Sequence, residues 1–246
     1  MKWNLSISVG SWTQDGYTGT VTFSTGKKNG TSATLYGYTS DNGETRSLKV
    51  TGNVVFNTGN WSVEAQPTMG SSTAAFKQGY GVYRIIADID GDFTMGASAK
   101  VNLLGKGFAA ASGPGYTGNN DGASHGGSGG LFKSSKPKSC YGVVASPITL
   151  GSGGKSSAGG GAFTLTCDGA ATINGTINVM GAEASYHTGA GGSIFITASS
   201  IAGTGTLNAN GSNVNFGNVY HIHGVLNQAI ILGVNDETQI ANKDFV

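Results

Sequence analysis

The sequence predicts an all-β fold in which a stacked β solenoid follows an N-terminal antiparallel β region. Glycine makes up 43 of the 246 residues, and a glycine-containing pattern at 173–181 returns at 203–211. No window shows helical periodicity over three turns. A fixed repeat of this length is typical of stacked units, none of which buries its apolar face alone.

Residues 1–80 carry the pattern of antiparallel hairpins. Apolar and polar residues alternate at 20–24 and at 32–38, and Asp15-Gly16 and Asn29-Gly30 are turn sequences. Alternation between Asp-Gly and Asn-Gly turns indicates paired strands with one solvated face. We therefore interpret this segment as a small β domain or as a cap over one end of the solenoid.

Residues 81–246 are expected to form a glycine-rich solenoid domain. Residues 100–105 are a loose copy of the units at 173–181 and 203–211, and a Gly/Ala/Ser-rich insertion follows at about 105–139. A loop this long is either functional or disordered, and its glycines favour a mobile or partner-dependent segment. The apolar residues predicted to face the core are Ile173, Ile177, Val179, Ile194, Ile196, Ile201 and Leu207.

Composition excludes several classes of partner. Charged residues are 11% of the chain and the net charge is +1, so the clustered Lys and Arg of a nucleic-acid or anionic-membrane surface are missing. No stretch has the length of consecutive apolar residues that a transmembrane helix needs, and residues 1–9 lack the apolar core of a signal peptide. We therefore expect no nucleic-acid partner, no membrane insertion and no signal peptide in this chain.

The repeated units resemble the glycine-rich repeats of bacterial surface adhesins and phage tail fibres. The matching stretches are 160–165, 174–181, 191–196 and 203–211, and the resemblance covers about residues 90–215. It implies that 81–246 is a right-handed parallel β-helix. It also implies a non-enzymatic structural or receptor-binding protein on a virion appendage or extracellular surface, with a host or cell-surface glycan or a surface protein as its partner. Because solenoids must cap or pair their open sheet ends, a homo-oligomer or larger assembly is expected.

Three aspartates are the strongest candidates for catalysis. Asp88, Asp90 and Asp92 alternate along the chain, so on a strand they share one face. Paired carboxylates serve as acid and base in glycosidases, which makes a polysaccharide-degrading hydrolase or lyase the alternative function. Otherwise Asp90 begins a turn and its neighbours are solvated.

Metal and disulfide chemistry have weaker signals. His221 and His223 share one face of a strand and would suit zinc if a third ligand were present, but the spacing identifies none. We predict no cofactor. The separation of Cys140 from Cys167 is close to one repeat unit, which allows either a disulfide between neighbouring units or two free thiols.

Aromatic and imidazole side chains in glycine-rich loops are the candidates for ligand binding. Tyr116 and His125 lie in the insertion, and Tyr186 and His187 precede a later Gly-Gly run. Aromatic faces suit the C–H faces of uncharged sugars, although single aromatics in turns are often structural. Because both segments occupy similar places in the repeat, we predict that these four residues line one edge.

Overall fold

The computed structural model describes residues 2–3, 7–23, 47–66, 83–116, 118, 121–130, 140–184, 187–212, 230–234 and 237–239. These residues contain sixteen strands and no helix. In chain order the strands are β1 Lys2–Trp3, β2 Ile7–Val9, β3 Trp12–Gln14, β4 Thr20–Phe23, β5 Leu48–Val50, β6 Val54–Val63, β7 Ile85–Ile89, β8 Phe93–Asn102, β9 Ala162–Cys167, β10 Ala170–Ile173, β11 Thr176–Asn178, β12 Ser193–Ala198, β13 Ser200–Ala202, β14 Thr206–Asn208, β15 Ile230–Val234 and β16 Glu237–Gln239.

The strands form two mostly parallel sheets. The nine-stranded sheet runs β1-β4-β6-β8-β10-β13, with β3 paired to β6 and β11 paired to β8 and β14. The seven-stranded sheet runs β16-β15-β12-β9-β7-β5-β2. Only the pairing of β15 with β16 is antiparallel among the described strands. The chain therefore passes repeatedly from one sheet to the other.

The predicted fold class, a right-handed parallel β-helix after an antiparallel region, is wrong. The described strands form two separate sheets, without a closed solenoid, in a layout that resembles the parallel sheets of α/β proteins although the described residues contain no helix. Pairing is also parallel within residues 1–80, where β2 joins β5 and β4 joins β6. A parallel strand with one solvated face alternates as an antiparallel strand does, so alternation alone misled the prediction. The strands of this segment belong to the same two sheets as those that follow it.

The sequence repeat corresponds to pairing between neighbouring strands. Strand β10 pairs with β13, and β11 with β14, so that each residue lies beside its equivalent in the next unit. This register aligns three asparagines across the sheet, Asn102, Asn178 and Asn208. Each Oδ1 accepts a hydrogen bond from the backbone N–H two residues later, at 3.1–3.3 Å. The repeated asparagine therefore caps the end of each strand, where the chain turns away from the sheet.

The core contains side chains from both sheets, and Trp61 is its largest fully buried residue. Its ring stacks on Phe56 at a centroid distance of 4.5 Å and meets Phe23 edge to face at 5.4 Å. The indole N–H donates to the Oε1 atom of Gln14 at 2.9 Å, which satisfies the one polar atom of this buried ring. Of the seven predicted core residues, Ile173, Ile177, Val179, Ile194 and Ile196 are buried, whereas Ile201 and Leu207 are partly buried.

A second packed region contains no strands and is called here the glycine-rich layer. It comprises residues 103–116, 148–161, 179–184 with 187–192, and 209–212. Successive N–H groups in this layer bond to different neighbours: those of Gly159, Gly160 and Gly161 donate to the carbonyls of Phe108, Ala190 and Leu103, at 2.9–3.0 Å. Extended segments that bond in several directions pack closely only where side chains are missing, as in the glycine positions of collagen.

Two glycines show how close this packing is. A Cβ atom on Gly160 would lie 1.8 Å from the carbonyl oxygen of Val179, and one on Gly192 would lie 1.7 Å from that of Gly161. Both neighbours are backbone atoms, which no change of rotamer moves. The high glycine content is thus explained by backbone contact between segments.

Candidate binding surface

Three turns meet at the end of the glycine-rich layer. The N–H of Ala111 donates to the carbonyl of Gly154 at 2.7 Å, and the N–H of Ser156 donates to that of His187 at 3.4 Å. Ala111 and His187 have positive φ values of 56° and 59°, as sharp reversals of the chain require. We call the surface formed by Ala111, Lys155, Ser156 and His187 the tip. The first three of these residues are exposed and His187 is half-buried.

The tip includes Ala111 of the insertion, and a later part of the insertion, residues 121–130, lies beside the tip. Its residue Ala123 donates a backbone hydrogen bond to the carbonyl of Thr188 at 3.2 Å, so the insertion and the loop ending at His187 are neighbours. Tyr116 is half-buried, and its N–H donates to the carbonyl of Gly113 at 3.1 Å. The structure therefore brings together the two segments in which an edge was predicted. Tyr186 lies outside the described residues.

His125 has a different environment from the other candidates. It is 1% exposed, with Nδ1 2.8 Å from the carbonyl oxygen of Gly191 and Nε2 2.7 Å from the hydroxyl oxygen of Thr149. A side chain with both nitrogens occupied inside the protein offers no face to a ligand. Burial lowers its pKa from 6.5 to about 4, against an opposing effect of the hydrogen bond to Gly191.

Sequence reasoning missed the loop 140–146, which lies beside the insertion and is called here the exposed valine loop. Val143 and Val144 are 60% and 69% exposed, at a turn in which Ser146 N–H donates to the carbonyl of Val143 at 3.2 Å. The turn is anchored by Tyr141, whose hydroxyl donates to the carbonyl of Leu150 at 2.5 Å. Two adjacent valines in a polar, glycine-rich region were a signal for this loop in the sequence.

A chain of hydrogen bonds fixes the anchor of the loop. The N–H of Gly115 donates to Ser152 Oγ at 2.8 Å, and that hydroxyl lies 2.8 Å from the oxygen of Tyr141. Because the Tyr141 hydroxyl donates to Leu150, it accepts from Ser152, and each group in the chain donates once. Burial raises the pKa of the Tyr141 phenol, which keeps this donor protonated. The same chain of hydrogen bonds thus holds both the insertion, through Gly115, and the loop, through Tyr141.

Two of the candidate catalytic aspartates form ion pairs. The Lys49 ammonium lies 3.2 Å from Asp88 Oδ1 and also contacts Asp90, across the pairing of β5 with β7. The pKa of Lys49 is raised, chiefly by the hydrogen bond to Asp90, because the carboxylate stabilises the ammonium. A cation on the neighbouring strand, which sequence reasoning did not identify, therefore pairs with both carboxylates.

Asp92 has a structural role in the turn after β7. Its Oδ1 accepts the N–H of Ala170 at 2.9 Å, and its own N–H donates to Oδ1 of Asn53 at 2.9 Å. Asn53 and Asp92 each accept, through Oδ1, a backbone N–H from the next turn of the chain. Asp92 is a cap for the next turn, and the three aspartates do not act as one cluster.

The remaining predictions concern metal binding, the two cysteines and membrane insertion. His221 and His223 lie outside the described residues, and within the described ranges no group of three metal-ligating side chains occurs. Both cysteines are free: Cys140 is exposed, and the buried thiol of Cys167 donates to the carbonyl of Gly91 at 3.0 Å. The part of the chain that the structure describes contains no helix long and apolar enough to cross a membrane.

Comparison with known proteins adds no functional evidence. No protein-family model, curated protein or solved structure matches this chain.

Proposed function

We propose that this protein is a non-enzymatic structural or receptor-binding protein of a virion appendage or cell surface, which presents its tip and the adjacent insertion to a glycan or a surface protein. The proposal rests on the backbone hydrogen bonds that hold this surface in place. The N–H of Ala111 bonds to the carbonyl of Gly154 and that of Ser156 bonds to His187, so the backbone holds the three turns together and their side chains can vary without loss of these bonds. Binding residues are commonly found on loops that a rigid scaffold positions in this way.

The side chains of the tip suit an uncharged polar ligand. The tip contains the exposed Lys155 and Ser156 and the half-buried His187, and the half-buried Tyr116 belongs to the insertion. Sugars require this mixture of donors, acceptors and apolar ring faces. Within the tip itself, Lys155 supplies the one formal positive charge.

The acidic residues favour binding over the alternative enzymatic function. Asp88 and Asp90 are paired with Lys49, and Asp92 caps a backbone N–H group. A catalytic carboxylate must reach its substrate, whereas these three are engaged by Lys49 or by a backbone N–H group. The carboxylates are thus arranged as structural ion pairs and caps.

Adsorption of variants to target cells and isolated glycans tests the proposal. Replacing Tyr116, Lys155 and His187 together by alanine is expected to weaken adsorption at least about tenfold, which corresponds to ~1.4 kcal/mol. The matched control replaces Thr13 and Asp15, which are exposed in and just after β3, and should adsorb as the wild type does. Circular dichroism establishes that both variants are folded.

Two outcomes would overturn the proposal. The first is unchanged adsorption by a folded triple variant. The second is release of reducing ends from host-type polysaccharides that is lost in Asp90→Asn, which would identify an enzyme. The expected assembly is tested separately, by the mass of the protein in solution, since a monomer at micromolar concentration contradicts a homo-oligomer.

A further inference from the structure

A single buried histidine joins three segments of the binding region. His125 belongs to the segment 121–130, its Nδ1 atom bonds to the carbonyl of Gly191, and its Nε2 atom bonds to the hydroxyl of Thr149. Its own carbonyl accepts the N–H of Tyr141 at 3.0 Å. The residue therefore ties both the insertion and the exposed valine loop to the glycine-rich layer.

The partners of His125 determine its protonation state. A carbonyl oxygen only accepts, so Nδ1 must carry the proton that bonds to Gly191. In the neutral ring Nε2 is then unprotonated and accepts the hydroxyl proton of Thr149. A second proton on the ring would face the Thr149 oxygen, displace its hydroxyl hydrogen and place a positive charge in the interior.

The described contacts of the ring include no carboxylate that would compensate that charge. From the segment 140–149, Tyr141, Gly142 and Thr149 face the ring, with the Tyr141 ring centroid 4.8 Å away, and Gly191 faces it from the layer. Tyr141 is the titratable group among these described contacts, and burial raises its pKa, so it is uncharged. Burial likewise lowers the pKa of His125 to about 4.

We propose that His125 is a latch that acid opens: its protonation detaches the segment 121–130 from the glycine-rich layer and from the N–H of Tyr141, while the two sheets stay folded. The detached segment contains no strand and contributes no residue to the two apolar clusters, so its local opening requires less free energy than unfolding of the sheets. This latch is independent of the proposed binding function and remains if that function is wrong.

The direction and size of the effect follow from linkage. The unfolded ring titrates at 6.5 and the buried ring at about 4, so between these values the opened segment binds more protons than the closed one. Closure is fully favoured above pH 6.5 and weakens as the pH falls. Opening should become on the order of 100-fold more favourable between pH 7 and pH 4.

Hydrogen exchange of the whole chain tests the latch. The amides of Ala123, Ser124 and Tyr141 depend on the attached segments, whereas those of Ile177 and Ile194 lie in the sheets. After correction for intrinsic rates, protection of the first three should fall on the order of 100-fold from pH 7 to pH 4, while the last two keep theirs. Protection that stays constant at all five amides, or falls equally at all five, would overturn the latch.

Two variants separate the histidine from other acid effects. His125→Asn keeps a side-chain N–H for Gly191 but does not titrate in this range, so it should remove the pH dependence at Tyr141. The matched control His187→Asn changes the half-buried histidine of the tip and should retain it. A pH dependence that survives in His125→Asn contradicts the proposal.

A measurement on the wild-type protein does not require any variant to fold. Nitrogen chemical shifts of the His125 ring at pH 7 should show a proton on Nδ1 and none on Nε2, with a titration midpoint near 4. A proton on Nε2 at pH 7, or a midpoint near 6.5, would exclude the latch.

Discussion

The two sheets and the glycine-rich layer use side chains in opposite ways. In the sheets, Trp61, Phe56 and Phe93 fill the interior and are completely buried. In the layer, Gly160 and Gly192 allow backbone atoms to meet where any side chain would clash. The sheets gain stability from apolar area removed from water, whereas the layer depends on backbone hydrogen bonds and close contact. Removing a side chain should therefore lower the free energy of unfolding in the sheets, whereas adding one should lower it in the layer.

The largest effect is expected in the sheets, for Phe56→Ala. Phe56 is 0% exposed and stacks on Trp61, so its loss leaves a cavity beside the largest ring of the core. We expect the free energy of unfolding to fall by about 3–5 kcal/mol, measured by urea denaturation followed by circular dichroism. Phe195→Ala is the matched control because Phe195 is only partly buried, and it should lose much less. Equal losses in the two variants would mean that burial does not determine stability here.

The second prediction adds one methyl group to the layer. Gly160→Ala should destabilise the protein by about 3 kcal/mol, because its Cβ would lie within 1.8 Å of the Val179 oxygen and 2.5 Å of the Gly192 nitrogen. Gly211→Ala is the control in the same layer, since its nearest neighbour would be an ordinary contact at 3.8 Å. Urea midpoints of the two variants check the difference. A layer in which both substitutions were tolerated would not be held by close backbone approach.

The sequence predicted this contrast only in part. The glycine-containing repeat identified the strands that pair, and the apolar positions from Ile173 to Ile196 identified the core, since strand periodicity is a local property of the chain. Strand direction within residues 1–80 was predicted wrongly, because parallel and antiparallel strands with one solvated face alternate alike. The packed glycine-rich layer was not predicted, since the neighbours of Gly160 come from distant parts of the chain.

The candidate site was predictable to a similar extent. An edge shared by the insertion and the loop at His187 was predicted from their equivalent places in the repeat, and the structure joins the two segments through Ala123 and Thr188. The burial of His125 did not, because its partners Thr149 and Gly191 lie 24 and 66 residues away. The pairing of Asp88 with Lys49 was hidden for the same reason, since a strand pairing that joins residues 39 apart is invisible to local spacing.

The smallest effect is expected on the outer surface of the seven-stranded sheet, where side chains neither fill a core nor block a backbone. Lys49 is 24% exposed, and its partners Asp88 and Asp90 are 16% and 39% exposed, so solvent screens these ion pairs. Lys49→Met should change the free energy of unfolding by less than about 1 kcal/mol at low salt, and by less still at about 1 M salt. Because the pKa of Lys49 is raised above 10.5 in the folded protein, its contribution is complete below pH 10.5 and disappears as the pH rises beyond it. Urea denaturation of wild type and Lys49→Met at pH 7, in low and high salt, measures the difference. A loss of several kcal/mol that persists in high salt would show that this surface, like the core, contributes strongly to stability.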